Sequence, residues 1–288
     1  MKMKILALVM AMLFAFSMTT VFAEETEGEW WNILLMGGDS RSTNDYGRTD
    51  TMMILSVNLE ENLVKMTSIM RDTWVSIPGH SSNKINAANV WGGPELAVQV
   101  VNNNFGTDIE DYILINMSDM VEIIDLVGGV DVDVTEAERK YVNYYADMYQ
   151  DQTARYSGAT SLNETGLVHL NGLLATAYCR IRYTDSDYVR VMRQQEVMLA
   201  VAKQIQEMDV NDLMDIVDVV TEKISTNLEN ERLKELATAG LVMEIDQVGQ
   251  YRIPVDGTFQ SGTFSGTWMI KPDFTKNANL LHEFIYGE

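Results

Sequence analysis

Arginine is concentrated in two short stretches of this acidic chain, whose formal net charge is -21. Seven of the eleven arginines fall in these stretches: Arg41, Arg48 and Arg71 in the first, and Arg180, Arg182, Arg190 and Arg193 in the second. A guanidinium group is planar, always charged and able to contact two phosphate oxygens at once. The two stretches therefore predict a binding site for a polyanionic, phosphate-bearing ligand.

Two aspartates, Asp39 and Asp50, flank the loop that contains Arg41 and Arg48. Magnesium in proteins commonly binds one or two carboxylates together with substrate phosphates, whereas calcium takes more oxygen ligands and zinc prefers cysteine or histidine. The pair therefore predicts a Mg2+ site at Asp39 and Asp50. The alternative that the spacing leaves open is that both aspartates cap turns.

A long helix is predicted from Asp187, which can cap it, to about Met208. Asp187, Arg190 and Gln194 share one stripe of that helix, because they lie at offsets of zero, three and seven residues. A helix N-terminus favours phosphate, and arginines there strengthen the site. The alternative is a solvated face on which Asp187 and Arg190 form a surface ion pair.

The elements that must position these residues are strands ending in charged groups, alternating with amphipathic helices. We predict strands at Ile33–Met36, Met52–Val57, Leu63–Met70, Tyr112–Ile115 and Val130–Val134, and strand character in Tyr251–Ile270. We predict helices at Pro94–Asn104, from the cap Ser118 to Val127, and at Asn171–Tyr178, Asp212–Thr226, Glu231–Ile245 and Leu280–Ile285. The tyrosines of the segment 136–163 are predicted to pack rather than to do chemistry. This order predicts an α/β fold in a single domain, with a mixed central β-sheet and helices on both faces.

Residues 1–23 have the features of an export signal. Lys2 and Lys4 precede the apolar run Ile5–Phe16, and Val21-Phe22-Ala23 resembles a cleavage site. The same uncharged stretch is just long enough to act as an uncleaved N-terminal anchor. In both cases the rest of the chain is predicted to lie outside the cytoplasm.

The bulk composition limits the class of protein. A chain of 288 residues that is 46% hydrophobic can bury one full core. A pI of about 4.4 opposes nucleic-acid binding. The single cysteine, Cys179, cannot form an internal disulfide. With no histidine nearby in the sequence, it is predicted to be a small buried hydrophobe rather than a nucleophile.

Several motifs resemble the LytR-CpsA-Psr family, in the family's order, over about Trp31 to Gln206. They are 32–41 (NILLMGGDSR), 47–53 (GRTDTMM), 71–75 (RDTWV), 84–88 (KINAA), 92–97 (GGPELA), 128–132 (GGVDV), 170–172 (LNG), 177–182 (AYCRIR) and 185–195 (DSDYVRVMRQQ). The number of linked motifs makes the resemblance specific. It implies a catalytic core at 31–206, with the helices and strands of 207–288 completing the same domain.

The resemblance implies an extracytoplasmic phosphotransferase. Such an enzyme moves a glycopolymer of teichoic acid or capsule type from an undecaprenyl-pyrophosphate carrier in the membrane to a peptidoglycan acceptor. Asp39 and Asp50 are implied to hold Mg2+, and the lipid tail is implied to enter an apolar tunnel. The residues implied to bind the pyrophosphate are Arg71, Arg180, Arg182, Arg190 and Gln194. The catalytic set is predicted as Asp50, Arg71, Arg180, Arg182 and Asp187.

Several alternatives stay open at this point. Either Asp50 or Asp187 can act as the base for the acceptor hydroxyl. The same site can also serve a polyprenyl-pyrophosphate pyrophosphatase or phosphodiesterase with water as acceptor, or a noncatalytic polyprenyl-phosphate binding protein. Two features depart from the family pattern: Met70 stands where proline usually precedes Arg71, and the leader is short where the family has a cytoplasmic tail and an anchor.

Overall fold

The computed structural model describes residues 30–39, 46–150, 158–182 and 187–287. Within these ranges the strands are β1 (Trp30–Gly38), β2 (Thr49–Asn58), β3 (Leu63–Ile69), β4 (Trp74–Val75), β5 (Asn83–Lys84), β6 (Asp111–Asn116), β7 (Val130–Val134), β8 (Gly166–Leu170), β9 (Ser225–Thr226), β10 (Gly249–Ile253), β11 (Phe259–Phe264) and β12 (Thr267–Pro272). The helices are α1 (Ala88–Phe105), α2 (Met117–Leu126), α3 (Glu136–Gln150), α4 (Gly172–Tyr178), α5 (Asp187–Gln206), α6 (Val210–Thr221), α7 (Asn230–Val242) and α8 (Phe274–Tyr286).

A six-stranded mixed sheet forms the centre of the domain, in the order β10-β3-β2-β1-β6-β9. Strand β1 runs antiparallel to β2 and parallel to β6, and β10 runs parallel to β3. The two edge strands, β9 and β10, come from the segment after residue 206. The α/β fold with a mixed central sheet, predicted from the sequence, is confirmed.

Helices cover both faces of this sheet, as predicted. Because side chains alternate along a strand, Leu34 and Met36 of β1 face one core while Ile33 faces the other. The first core is closed by α1 and α8, for example through Val101. The second is closed by α6 and α7, for example through Leu213. The sheet is therefore buried between two helical layers.

A third apolar cluster joins α2, α3, α4, the antiparallel pair of β7 and β8, and the middle of α5. Tyr145 and Tyr149 of α3 are buried in it, which confirms the prediction of packing for these two. Tyr144 is exposed. Because α5 also contacts the second core through Ile205, this long helix connects two of the three clusters.

Several predicted helix boundaries differ from the structure; α8, for example, begins at Phe274 rather than Leu280, and α7 ends at Val242 rather than Ile245. Helix α1 has an additional first segment from Ala88, but Gly92 and Gly93 break it with non-helical backbone, with φ of 72° at Gly93. Its continuous part therefore starts at Pro94, as predicted. Helix α2 is capped by Asn116 rather than Ser118, because the Asn116 side chain accepts a hydrogen bond from the backbone N of Asp119. Helix α6 ends at Thr221 rather than Thr226, because Thr226 pairs with Ile113 at the sheet edge.

Among the helices of the described ranges, none combines the length and the apolar character needed to cross a membrane. The predicted leader, residues 1–23, lies outside these ranges.

Helix α4 packs so closely on α2 that there is no room for a side chain at Gly172. A Cβ at Gly172 would lie 1.9 Å from the carbonyl oxygen of Val121 in α2. Gly172→Ala must therefore push α2 and α4 apart, and we expect it to lower the free energy of unfolding by about 3 kcal/mol in urea denaturation. Gly262→Ala is the control, because its nearest side-chain atom in space is 3.8 Å away. Equal stability of the two variants would contradict the proposed steric conflict.

Candidate active site

The candidate site is a pocket at one edge of the central sheet. Strands β1, β3 and β6 run in the same direction, so their carboxyl ends meet at this edge beside the start of β2. The pocket is lined there by Gly37 and Gly38 of β1 and by Ile115 and Asn116 of β6, and α5 forms the facing wall. Carboxyl ends of strands are where open α/β sheets bind ligands.

Asp50 is the residue on which three arginines converge. Its Oδ1 accepts a hydrogen bond of 2.8 Å from Arg71 Nη1, and its Oδ2 accepts one of 2.8 Å from Arg182 Nη2. Its backbone oxygen accepts from Arg190 Nη2 at 3.1 Å. Burial acts to raise the pKa of Asp50, but the charge and hydrogen bond of Arg71, with the charges of Arg182 and Arg190, lower it below its ordinary value. Asp50 is therefore ionised at neutral pH.

Asp187 is the second carboxylate of this cluster. It lies 3.2 Å from Arg190 Nη2 and 3.6 Å from Arg71 Nη2. Arg190 is only 2% exposed, which excludes the alternative of a solvated surface pair. Burial, together with the charges of Arg71 and Arg182, lowers the pKa of Arg190 to about 10 in spite of Asp187. The guanidinium still carries its charge at neutral pH, and a bound anion would stabilise it.

In the part of the chain that the structure describes, two donors of this cluster lack a hydrogen-bond acceptor. Among the described residues, Nε of Arg71 and Nε of Arg190 are buried without a hydrogen-bond partner. A buried donor left unpaired costs free energy that an acceptor recovers. Three guanidinium groups and the ammonium of Lys84 share three carboxylates, Asp50, Asp72 and Asp187, so the local charge is positive. The arrangement is suited to an anion with several oxygens.

Two more predicted residues line the same pocket without touching Asp50. Gln194 lies one turn after Arg190 on α5. Arg180 lies over the ring of Tyr149, with its Cζ 5.0 Å from the ring centroid, and donates to Met117 Sδ. The structure thus brings together all six predicted residues of the arginine and carboxylate cluster, with Arg180 approaching from a different side. Arg41 lies outside the described residues.

Asp39 lies on the same pocket wall as Asp50 and is exposed. Its backbone N donates to the Arg48 carbonyl at 3.1 Å, which holds both aspartates at one edge of the sheet. Both Asp50 oxygens already accept from arginines, and in the described ranges no three His, Cys, Asp or Glu side chains converge as a metal site. The carboxylate oxygens of Asp39 and Asp50 suit a hard cation that takes most of its ligands from phosphate and water, as Mg2+ does.

Beyond the charged mouth the pocket becomes apolar. On α5, Val197, Met198 and Val201 continue the wall seven, eight and eleven residues after Arg190. Met117 and Met120 of α2 face them across the pocket. The sequence did not indicate these side chains as part of the site. An apolar helix face has the same sequence pattern whether it packs against protein or lines an open cavity.

Comparison with known proteins identifies the family. The LytR_cpsA_psr family model matches residues 14–283, nearly the whole chain. The chain belongs to the LytR-CpsA-Psr family. This confirms the resemblance found in the sequence motifs.

The curated relatives include a polyisoprenyl-teichoic acid–peptidoglycan teichoic acid transferase, TagU, from Oceanobacillus iheyensis. It is 34% identical over 216 residues, which are 72% of this chain and 62% of that protein. A TagU from Bacillus mycoides is 32% identical over 218 residues, which are 74% of this chain and 66% of that protein. This chain therefore spans less than two thirds of the length of these LytR-CpsA-Psr relatives.

A solved LytR-CpsA-Psr structure confirms the fold. TagV of B. subtilis superposes with a TM-score of 0.71 at 24% identity, covering 90% of this chain and 98% of TagV. The likeness supports the arrangement of the central sheet and its two helical layers.

Arg193 belongs to the same LytR-CpsA-Psr motif as Arg190 but does not line the pocket. It is 4% exposed, and its Nε donates to Glu138 of α3 at 2.8 Å. Its Nη1 donates to the backbone oxygen of Ile181 at 3.4 Å. Arg193 therefore ties α5 to α3 and to the segment that carries Arg180 and Arg182.

Cys179 lines the pocket but packs against the third apolar cluster. Burial, with the nearby charge of Glu196, raises the pKa of its thiol to about 12. The thiol is therefore protonated at neutral pH, and a packing role fits it better than nucleophilic chemistry.

The buried pair of Arg193 and Glu138 generates the second prediction. Arg193→Met removes the guanidinium and leaves the Glu138 side chain, 13% exposed, without this partner. We expect a loss of about 3 kcal/mol in the free energy of unfolding, because the carboxylate of Glu138 keeps its hydrogen bonds from Thr135 but loses its charged partner. The double variant Arg193→Met with Glu138→Gln should recover part of the loss in urea denaturation.

The matched control is Arg232→Met, which removes an exposed ion pair with Glu235 and a contact with the ring of Trp31. We expect it to cost about 1 kcal/mol or less. A loss for Arg193→Met no larger than that of this control would show that the buried pair does not hold the loop.

Proposed function

We propose that this protein is an extracytoplasmic phosphotransferase. It attaches a glycopolymer of teichoic acid or capsule type, delivered on an undecaprenyl-pyrophosphate carrier, to peptidoglycan. The observation that carries the proposal is the polarity of the pocket. Its mouth holds Arg180, Arg182 and Arg190, and its interior is lined by Val197, Met198 and Val201. The Nε of Arg190 is buried and has no hydrogen-bond partner in the described part of the chain.

An amphiphile with a charged head and an apolar tail matches this polarity. A pyrophosphate offers the Arg71 and Arg190 donors several oxygens, and a polyprenyl chain offers the apolar wall only carbon. Among solved structures of similar fold is TagT with a bound octaprenyl pyrophosphate lipid, with a TM-score of 0.66 at 21% identity, covering 92% of this chain and 94% of that one. The TagU relatives carry the name of a teichoic acid transferase.

The reaction we propose is a transfer of the glycan-bearing phosphoryl group. An acceptor hydroxyl oxygen bonds to the phosphorus that carries the glycopolymer, and the bond from that phosphorus to the bridging oxygen breaks. The bridging oxygen leaves with the polyprenyl phosphate, and the hydroxyl proton passes to a carboxylate. Arg71, Arg182 and Arg190 neutralise the charge that develops on the phosphate oxygens and on the leaving group.

Of the two candidate bases we favour Asp187. Both oxygens of Asp50 accept arginine hydrogen bonds, and its pKa lies below the ordinary value, so it is a weak proton acceptor. Asp187 contacts the arginines at the longer distances of 3.2 and 3.6 Å. In this assignment Asp50 orients the arginines and Asp187 takes the proton of the acceptor hydroxyl.

We propose Mg2+ as the cofactor, held by Asp39 and Asp50. When bound, the ion would neutralise pyrophosphate charge and align the leaving group. The chain's own contribution is to keep Asp50 ionised and to hold Asp39 beside it through the backbone bond to Arg48. Membrane-bound lipid carrier and cell-wall peptidoglycan are the proposed partners. They place the enzyme at the outer surface of the membrane, and nucleic acid is not among its ligands.

The third prediction tests the arginines. Arg182→Ala and Arg190→Ala should each reduce the transfer rate about a hundredfold, because each removes charge stabilisation that the transition state needs. The assay contains a synthetic polyprenyl-pyrophosphate glycan, peptidoglycan oligomers and Mg2+, and products are identified by mass. Arg232→Ala, which removes one exposed arginine elsewhere, should leave the rate unchanged.

Wild-type rates in Arg182→Ala and Arg190→Ala would overturn the proposed role of the cluster. Release of free phosphorylated glycan by the native protein, with none joined to peptidoglycan, would favour the hydrolase with water as acceptor. Binding without any turnover would favour the noncatalytic binding protein.

The proposed dependence of the transfer reaction on Mg2+ can be tested directly. Removing divalent ions with EDTA should abolish transfer, and Mg2+ should restore it. Asp39→Asn should raise the Mg2+ concentration needed for half-maximal rate roughly tenfold or more, because a carboxylate ligand becomes neutral. Asp246→Asn changes an equally exposed aspartate outside the pocket and should have no effect. A full rate after EDTA treatment would show that the reaction needs no Mg2+.

A further inference from the structure

Thr176 is a buried hydroxyl in the pocket that neither the fold nor the proposed reaction explains. It lies on α4, is 4% exposed and lines the pocket. Its Oγ1 is buried and has no hydrogen-bond partner among the described residues. A buried hydroxyl without a partner costs free energy, so an acceptor at this point would be favourable.

The position of Thr176 on α4 defines which part of a ligand it can meet. Gly172, four residues earlier, abuts α2 at Val121, so this side of α4 faces α2. Arg180, which lines the charged mouth, lies two residues after the end of α4 at Tyr178. Thr176 therefore lies near the level at which the charged mouth gives way to the apolar interior.

The chemistry of the neighbouring residues makes a hydroxyl unexpected here. Met117, Met120 and Val197 line the pocket around α4, and valine has nearly the shape of threonine. If the pocket held only a hydrocarbon chain at this depth, a valine would fit it without an unpaired polar atom. In the pocket, a hydroxyl favours a ligand that places an oxygen at this level.

We propose that the Thr176 hydroxyl donates a hydrogen bond to an oxygen of the carrier phosphate that is bonded to the polyprenyl tail. This inference rests on the proposed function and adds a neutral donor beneath the arginines. The tail itself has no acceptor, so the phosphate next to it is the acceptor that reaches deepest into the pocket. Thr176 would thereby favour phosphorylated polyprenyl lipids over the uncharged polyprenol.

The test compares Thr176→Val with Thr176→Ser. Affinity for octaprenyl pyrophosphate is measured by calorimetry in detergent, beside octaprenol as the uncharged lipid. Thr176→Val should weaken binding of octaprenyl pyrophosphate about tenfold, the usual effect of losing one hydrogen bond to a charged group. It should leave octaprenol binding unchanged, and Thr176→Ser should keep most of the affinity.

The matched control is Thr67→Val. Thr67 is also buried with an unpaired Oγ1, but it lies in β3 outside the pocket lining. Thr67→Val should bind both lipids like the native protein. Without ligand, Thr176→Val should melt at the same temperature as the native protein or higher, since it removes an unpaired polar atom. Its rise in melting temperature on adding octaprenyl pyrophosphate should be smaller.

The outcomes separate this inference from the proposed function. If the native protein binds octaprenyl pyrophosphate and Thr176→Val binds it equally well, the role of Thr176 is wrong and the proposed function stands. If Thr176→Val weakens both lipids alike, the residue acts through packing and the inference is also wrong. If the native protein binds no octaprenyl pyrophosphate, the proposed function fails, and this inference with it.

Discussion

The convergence of three arginines on one aspartate is the interaction on which the rest of the site depends. Asp50 starts β2, whereas Arg71 follows β3, Arg182 follows α4 and Arg190 lies on α5. Four separate parts of the chain therefore meet at a single carboxylate. Guanidinium groups this close repel one another, and Asp50, Asp72 and Asp187 offset only part of that repulsion. The cluster is stable enough to form, and it is left with donors and charge that an anion can use.

The surrounding structure must hold this cluster in place, because the repulsion between its arginines opposes its formation. The sheet edge fixes Asp50 and Arg71, since both lie at ends of paired strands. The third apolar cluster fixes α4 and α5, and Arg193, which bonds both Glu138 and the backbone of Ile181, fixes the segment that follows α4. The apolar cores and this one buried ion pair thus provide the free energy that holds like charges together. Positions far from any ligand are therefore necessary for the geometry of the site.

The sequence predicted most of the fold, but it did not show which residues of the site line the pocket and which ones support them. Apolar runs identified β1 and β2 because buried strands are continuous and hydrophobic. The short edge strand β9 carries no such pattern, since its two residues owe their conformation to pairing with β6. Arg190 and Arg193 lie three residues apart on one helix, yet only Arg190 enters the pocket. That difference depends on Glu138, which is distant in sequence, so no local pattern could reveal it.

The polarity of the pocket also separates binding from catalysis in the proposed reaction. The polyprenyl tail is the same in the substrate and in the departing polyprenyl phosphate, so the wall formed by Val197, Met198 and Val201 binds both equally. Interactions that are equal before and after the chemical step do not accelerate it. The acceleration must therefore come from Arg71, Arg182 and Arg190, whose contacts strengthen as charge moves onto the leaving phosphate. The apolar wall therefore binds the lipid, and the arginines accelerate the cleavage of its pyrophosphate.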